Sequence, residues 1–153
     1  MNKKLLAAGL ALALGAGYTL SAVAQAKPEV LVKQRQAAMT LTGKYFGPLS
    51  QMAQGKMPYN GKIVARNAEF LTVLSQMPWD GFSPATADIK SAALPAVYKD
   101  AAKFKAAQEL LQTNVGKLAA ATKGGNEGAI KAAIGDVGKS CGNCHDNFRE
   151  KKQ

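Results

Sequence analysis

Cysteine and histidine are scarce in this chain of 153 residues, which contains two cysteines and one histidine. So few residues exclude a scaffold that depends on several disulfides, and they exclude a zinc site with four Cys and His ligands. Acidic residues are also few, since 10 Asp and Glu stand against 20 Lys and Arg, which gives a net charge of +10. The basic residues are scattered along the chain, so the charge does not predict binding to nucleic acid.

Long apolar runs are confined to the start of the chain. Two lysines at positions 3 and 4 precede an apolar stretch at 5–18, and Ala22-Val23-Ala24 or Ala24-Gln25-Ala26 offers a cleavage site with small residues. This order is typical of a secretory signal peptide, and the run is shorter than the ~20 residues that span a bilayer. We therefore predict a cleaved leader at 1–24 and a mature domain at 25–153 that is exported to the periplasm and does not span a membrane.

The mature chain shows helical rather than strand periodicity. Apolar residues recur at spacings of three and four, and no segment alternates in the way that strands do. The predicted helices cover residues 28–53, 63–77, 95–122 and 127–151. Residues 78–95 contain three prolines and are predicted to form a long ordered loop with a short helical turn at 86–90. Four helices with short connections predict an all-α, antiparallel up-and-down four-helix bundle.

The chemistry of the chain is concentrated in the pentapeptide Cys141-Gly142-Asn143-Cys144-His145, which has the pattern C-x-x-C-H. This pattern attaches c-type haem, because two thiols bond to the haem and the adjacent imidazole reaches its iron. On a helix these three side chains share one face. A thioredoxin-like pair would need an α/β pattern, a zinc site would need more ligands, and a disulfide would leave His145 unexplained. We therefore predict covalently attached haem.

The single histidine limits the second axial position of the iron. With His145 on one side, the other position is left to methionine, lysine, another weak ligand, water or nothing. Met57 and Met77 lie near the ends of predicted helices, whereas Met39 lies in the middle of the apolar stripe of the first helix. Met39 is therefore the methionine best placed to face the haem.

An exported four-helix bundle with C-x-x-C-H near its C-terminus resembles cytochrome c′, the high-spin class II c-type cytochromes. The position of the motif separates it from class I cytochromes c, which carry the motif near the N-terminus. Other segments similar to the family lie at 27–29, 32–36, 56–59, 77–79, 135–139 and 145–149. The resemblance covers essentially all of the mature chain, and it implies a homodimer that packs through the first two helices.

The resemblance also implies roles for single residues at the haem. Cys141 and Cys144 match the thioether attachment sites of one haem c per subunit, and His145 matches the sole axial ligand supplied by the protein. These assignments coincide with the interpretation of the motif itself.

Four further residues match family positions around the haem. Arg35 and Gln36 match a pair near the haem propionates, although the same pair also suits a solvated helix face. Met39 matches the position that covers the iron on the side away from the axial histidine, where the family usually has a bulky apolar residue. Arg149 matches a basic residue close to the axial imidazole, and its alternative is an ordinary basic residue of the C-terminus.

The predicted function is selective gas binding. A five-coordinate iron behind an apolar lid lacks the hydrogen-bond donor that favours O₂, so we expect binding of NO and CO with little binding of O₂. The role would be NO scavenging in the periplasm, with electron transfer to an unidentified redox partner secondary. The alternative is a low-spin electron carrier in which Met39 is the sixth iron ligand. We do not predict an enzyme, because peroxide cleavage calls for an acid or base on the open side of the iron.

Overall fold

The computed structural model describes residues 26–151 and shows a helical domain. Its elements are α1 (Pro28–Ala53), α2 (Gly61–Leu74), two 3₁₀ helices (Trp79–Phe82 and Pro84–Thr86), α3 (Ala96–Lys99), α4 (Ala101–Gly124) and α5 (Glu127–Phe148). Within the described range the only β pairing is an isolated bridge between Ala93 and Arg149. The predicted leader at 1–24 lies outside the described residues.

The long helices begin and end where local chemistry favours it. Pro28 occupies the first turn of α1, where its missing N–H removes no helical hydrogen bond. The side chains of Asn60 and Asn126 cap α2 and α5 by accepting hydrogen bonds from the N–H groups of Ile63, at 3.1 Å, and Ala129, at 2.9 Å. Gly125 follows α4 with a φ of 70°, a conformation that costs glycine little. These signals explain why the sequence periodicity locates the helices well.

The four long helices enclose one main hydrophobic core. Contacts join α1 to α2, α2 to α4, α4 to α5 and α5 to α1. The core contains Leu49, Met52, Val64, Ala68, Leu71, Leu111, Val115, Leu118, Ile130, Ile134 and Val137. The predicted all-α four-helix bundle is therefore confirmed. No helix in residues 26–151 combines the length and apolar composition that a bilayer crossing requires.

The second helix is shorter than predicted. It ends at Leu74 instead of residue 77, and the backbone then turns through hydrogen bonds from Gln76 to Val73 and from Met77 to Leu74. The helical spacing along 63–77 predicts an apolar stripe that includes Phe70 and Met77, but these side chains are 42% and 56% exposed. The prediction is wrong at Phe70 because other side chains fill the buried side of α2, and it is wrong at Met77 because this residue lies beyond the end of the helix.

The connection between α2 and α4 also differs from its prediction. The helical turn expected at 86–90 is found earlier, as the 3₁₀ helices at 79–82 and 84–86. The third helix, predicted as one element, is divided at Asp100, whose backbone leaves helical geometry at φ −110° and ψ 47°. The division allows Val97 of α3 to be buried in a second apolar cluster with Ala107 and Phe148.

The last helix ends at Phe148 rather than at residue 151. The chain becomes extended at Arg149 because the backbone there pairs with residues 92–94. Leu94 donates to the carbonyl of Phe148, and Glu150 donates to the carbonyl of Ala92, each at 2.9 Å. This pairing fastens the 78–95 segment to the end of α5, next to the C-x-x-C-H motif.

Candidate haem-binding site

The C-x-x-C-H motif lies in the last two turns of α5. Cys141 and Cys144 are half-buried free thiols, and His145 is exposed one residue later. All three side chains line the same cavity, which has a volume of about 520 Å³. The helix therefore presents two thiols and an imidazole to one space, as the spacing of the motif predicts.

The surroundings of the motif favour uncharged side chains. Burial raises the pKa of both thiols, and for Cys144 the neighbouring Cys141 raises the pKa further. The pKa of His145 is lowered, first because the ring is partly buried and second because Arg149 is positively charged, while Asp146 opposes these effects. A neutral imidazole is the form that ligates a metal, so this environment suits an iron ligand.

The cavity lies between α1, the 78–95 segment, α4 and α5. The side of α1 contributes Arg35, Gln36, Met39, Thr40, Thr42, Gly43 and Phe46. The remaining lining residues are Trp79, Phe82, Ser91, Ala92, Ala93, Phe104, Ala107, Leu111, Cys141, Cys144, His145, Phe148 and Arg149. The structure therefore brings together all seven residues that the sequence predicts for the site. It places Met39 on the first helix and His145 on the last.

A chain of four aromatic rings forms one wall of the cavity. The ring centroids of Trp79 and Phe82 lie 6.1 Å apart, those of Phe82 and Phe104 lie 4.9 Å apart, and those of Phe104 and Phe148 lie 5.2 Å apart. Phe104 and Phe148 follow the helical spacing of apolar residues in the third and fourth predicted helices, whereas Trp79 and Phe82 lie in the 78–95 loop, which has no such spacing. The only sequence signal for Trp79 and Phe82 as site residues is that two large aromatic residues occur in a proline-rich loop.

Arg35 is the most deeply buried charged residue of the site, with 4% of its surface exposed. Its guanidinium donates to the carbonyl of Gly81 and, at 2.7 Å, to the hydroxyl of Ser91. It also lies 4.4 Å from the centroid of the Phe82 ring. Gln36, the next residue, is exposed and borders the cavity. Arg35 is thus a buried cation at the site, and the alternative of a solvated helix face does not describe it.

The α1 side of the cavity has an apolar part around Met39, next to polar residues of the same helix. Met39 is half-buried and lies near Gly43 and Phe46, which also line the space. Thr42 also lines the cavity, and its hydroxyl donates to the carbonyl of Ala38 at 2.8 Å. That hydrogen is therefore engaged within the helix instead of pointing at the cavity.

Arg149 lies beside His145 at the end of α5. Its backbone N–H donates to the carbonyl of His145 at 3.1 Å, and its bridge to Ala93 holds the local chain. Arg149 lines the cavity, and its charge contributes to the lowered pKa of His145. The structure therefore places this cation on the same side of the cavity as the imidazole.

Comparison with known proteins agrees with this geometry. The family model described as Cytochrome C' matches residues 30–149. The chain belongs to the cytochrome c′ family. It is 44% identical over 126 residues to cytochrome c′ from Rubrivivax gelatinosus, an alignment that covers 82% of this chain and 98% of the relative.

Solved structures of the cytochrome c′ family match the fold as well. A nitric oxide complex of a variant of cytochrome c prime from Alcaligenes xylosoxidans superposes with a TM-score of 0.77 at 43% identity, covering 84% of this chain and 99% of that chain. A carbon-monoxide-bound variant of the same protein gives a TM-score of 0.76 at 43% identity, covering 82% of this chain and 98% of that chain.

Haem c is the cofactor of the cytochrome c′ family, and the residues of this chain fit it. The cavity joins two thiols at helical spacing, a neutral imidazole and an aromatic wall, which suit a flat apolar macrocycle with a metal at its centre. Arg35 adds a buried cation, which suits the carboxylates at the edge of haem. The donor set therefore matches covalently attached haem better than a bare metal ion.

Proposed function

We propose that this protein is a periplasmic gas-binding cytochrome c′ with haem attached at Cys141 and Cys144 and ligated by His145. When bound, haem supplies an iron with one open coordination position that takes NO or CO. The observation that carries the proposal is the cavity itself, in which the motif on α5 and Met39 on α1 line one space. The periplasmic location rests on the leader predicted at 1–24.

The composition of the chain leaves only one imidazole for the iron. His145 is the only histidine of the 153 residues, so no second imidazole can bind the iron. Met39 lines the cavity from α1, where we assign it as a lid that covers the open position. An apolar lid slows the entry of gases without offering them a hydrogen bond.

Selectivity against O₂ is supported by three hydrogen-bond donors of the cavity that are already engaged. O₂ binding at haem depends on donors in the pocket over the iron. The Thr42 hydroxyl donates to Ala38 at 2.8 Å, and the Thr40 hydroxyl donates to Gln36 at 2.9 Å. The indole N–H of Trp79 donates to the carbonyl of Ser75 at 2.7 Å. These three donors are already satisfied, which supports preferential binding of NO and CO.

The lining of the cavity favours binding over catalysis. Peroxide cleavage uses an acid or base near the open side of the iron. Among the described residues that line the cavity, none is Asp or Glu, and His145 is assigned to the iron. We infer that the protein scavenges or buffers NO, with electron exchange as a secondary activity.

Gas selectivity is tested on the purified, reduced protein. We expect NO and, more slowly, CO to change the electronic spectrum when the gas concentration equals or slightly exceeds that of the protein. Air-saturated buffer should produce no stable O₂ complex. The Thr42→Val variant is expected to behave in the same way, because its hydroxyl already bonds to the helix. A stable O₂ complex in the wild-type protein would contradict the proposed selectivity, and altered gas binding in Thr42→Val would contradict the engaged state of its hydroxyl.

The proposed homodimer uses an exposed apolar face on α1 and α2. Leu41, Phe70 and Val73 are 41%, 42% and 57% exposed. The rings of Tyr45 and Phe70 are in contact, with centroids 4.8 Å apart and planes tilted by 56°, so they join the two helices into one surface. Contiguous apolar surfaces of this kind mark interaction sites, and a two-fold dimer brings the same surface of two copies together. We propose that a second copy of this chain covers this face.

The dimer is tested with a charge placed in that face. We expect Val73→Asp to convert the protein from dimer to monomer, because the interface would bury an unpaired carboxylate. Sedimentation equilibrium or light scattering reports the mass. The matched control is Leu110→Asp, a residue that is 45% exposed on α4, which does not contribute to the proposed face, and it should leave the dimer intact. A monomeric wild-type protein, or a dimeric Val73→Asp variant, would contradict the assignment.

A further inference from the structure

The Arg35 guanidinium is held by groups from outside its own helix. Besides Gly81 and Ser91, Nη1 lies 3.4 Å from the hydroxyl of Thr86 and 3.5 Å from that of Tyr98. Gly81, Thr86 and Ser91 belong to the segment between α2 and α3, and Tyr98 belongs to α3. The guanidinium therefore contacts both the segment between α2 and α3 and α3 itself.

These partners are themselves fixed. The Thr86 and Tyr98 hydroxyls are 3.1 Å apart, and the Thr86 hydroxyl lies 2.8 Å from the carbonyl of Ser83, to which it donates. A side chain at Gly81 would place its Cβ 2.6 Å from Cβ of Arg35, so only glycine lets this carbonyl come so close. The hydrogen bonds consequently hold the guanidinium in one orientation.

The charge of Arg35 has no acidic partner within the described residues. The ion pairs of residues 26–151 are Lys105–Glu109, Lys131–Glu127 and Lys139–Asp136, and all three lie on the surface. Every partner of Arg35 is a neutral oxygen or an aromatic ring. A buried cation without a counter-charge is costly, and Arg35 borders the cavity where an anion would compensate it.

We infer that Thr86, Ser91 and Tyr98 are positioning residues that hold the Arg35 guanidinium as the counter-ion of a haem carboxylate. This inference rests on the proposed function, because the carboxylate belongs to the haem assigned to the cavity. A fixed cation beside haem favours the reduced state, which carries one positive charge less than the oxidised state. The cluster should therefore raise the reduction potential, an effect that a purely structural role for Arg35 would not produce.

The test measures the midpoint potential of the haem-loaded protein. For Arg35→Gln we expect the equilibrium constant for one-electron reduction to fall about tenfold, which is 59 mV for such a couple. The double variant Ser91→Ala, Tyr98→Phe keeps the arginine but removes two partners, and it should lower the constant at least threefold. The single variant Ser91→Thr keeps the hydroxyl and should therefore keep the wild-type potential.

The matched controls remove a serine hydroxyl, a tyrosine hydroxyl and a guanidinium at positions that do not contact Arg35. Ser83→Ala lies in the same segment, Tyr59→Phe removes a half-buried tyrosine hydroxyl, and Arg66→Gln removes an exposed arginine on α2. None of these should change the potential by as much as the Ser91 and Tyr98 changes. Circular dichroism verifies that each variant folds. If Arg35→Gln does not fold, the Ser91→Ala, Tyr98→Phe double variant still tests the positioning role, because it retains the arginine.

The outcomes separate this inference from the proposed function. A double variant with the wild-type potential, or one that shifts no more than the controls, overturns the positioning role while the gas-binding spectrum stays intact. A wild-type protein whose haem is not ligated by His145 overturns the proposed function itself, and that failure is visible in the spectrum before any variant is compared.

Discussion

Replacing both cysteines, as Cys141→Ala and Cys144→Ala, is expected to yield a chain with no covalently attached haem. The two thiols are the only ones among the 153 residues, so no other side chain can form a thioether. The measurement is haem staining after denaturing electrophoresis, together with extraction of the pigment into acidified organic solvent. We expect complete loss of the stained band in the double variant.

The control for this prediction is Gly142→Ala, which changes the motif between the thiols and leaves both thiols in place. A Cβ at Gly142 would meet nothing within 4 Å, so the helix tolerates it. Each single cysteine variant should keep one thioether bond and retain the stain. A double variant that still carries haem through denaturation would contradict the assigned attachment.

Removing the lid, as Met39→Ala, is expected to accelerate gas binding by about tenfold or more, which corresponds to ~1.4 kcal/mol of the barrier. Met39 lines the cavity from α1, and alanine leaves room for a diatomic molecule at the open position of the iron. The measurement is the rate of CO or NO binding to the reduced protein after rapid mixing.

The matched control for the lid is Met57→Ala. Met57 is 39% exposed and does not border the cavity, so its removal should leave the rate unchanged. An unchanged rate in Met39→Ala would show that this side chain is not the barrier. Equal acceleration in both variants would point to general loosening of the fold instead of an opened site.

The helices and the motif could be predicted because their signals are local. Helical periodicity, Pro28, the capping Asn126 and Gly125 act over a few residues, and they locate the ends of the long helices closely. The spacing of Cys141, Cys144 and His145 is also local, since one helix carries all three. The sequence therefore predicts which side chains share a face without knowledge of the tertiary structure.

The 78–95 segment could not be predicted in the same way. It has no periodicity, and its two 3₁₀ helices are held by tertiary contacts such as the Arg35 hydrogen bonds to Gly81 and Ser91. Its backbone pairing with residues 148–150 also ends α5 earlier than the helical pattern indicates. Contacts between residues that are far apart in the sequence leave little trace in local composition.

The exposure of Phe70 shows the limit of periodicity on α2. Phe70 follows the helical spacing of the stripe, but the structure leaves it 42% exposed while Leu71 is buried. Spacing identifies neighbours along a helix, whereas burial depends on where α1 and α4 pack. Such residues are candidates for a surface that another chain covers, as proposed for the dimer.

The most direct test of the central claim is the electronic spectrum of the purified protein, oxidised and reduced, before and after NO is added. We expect broad high-spin bands from an iron with His145 as its sole protein ligand, and a spectrum that shifts with NO. Sharp, split bands in the reduced state with a sulfur-to-iron charge-transfer band in the oxidised state would contradict it, because they would place the Met39 sulfur on the iron.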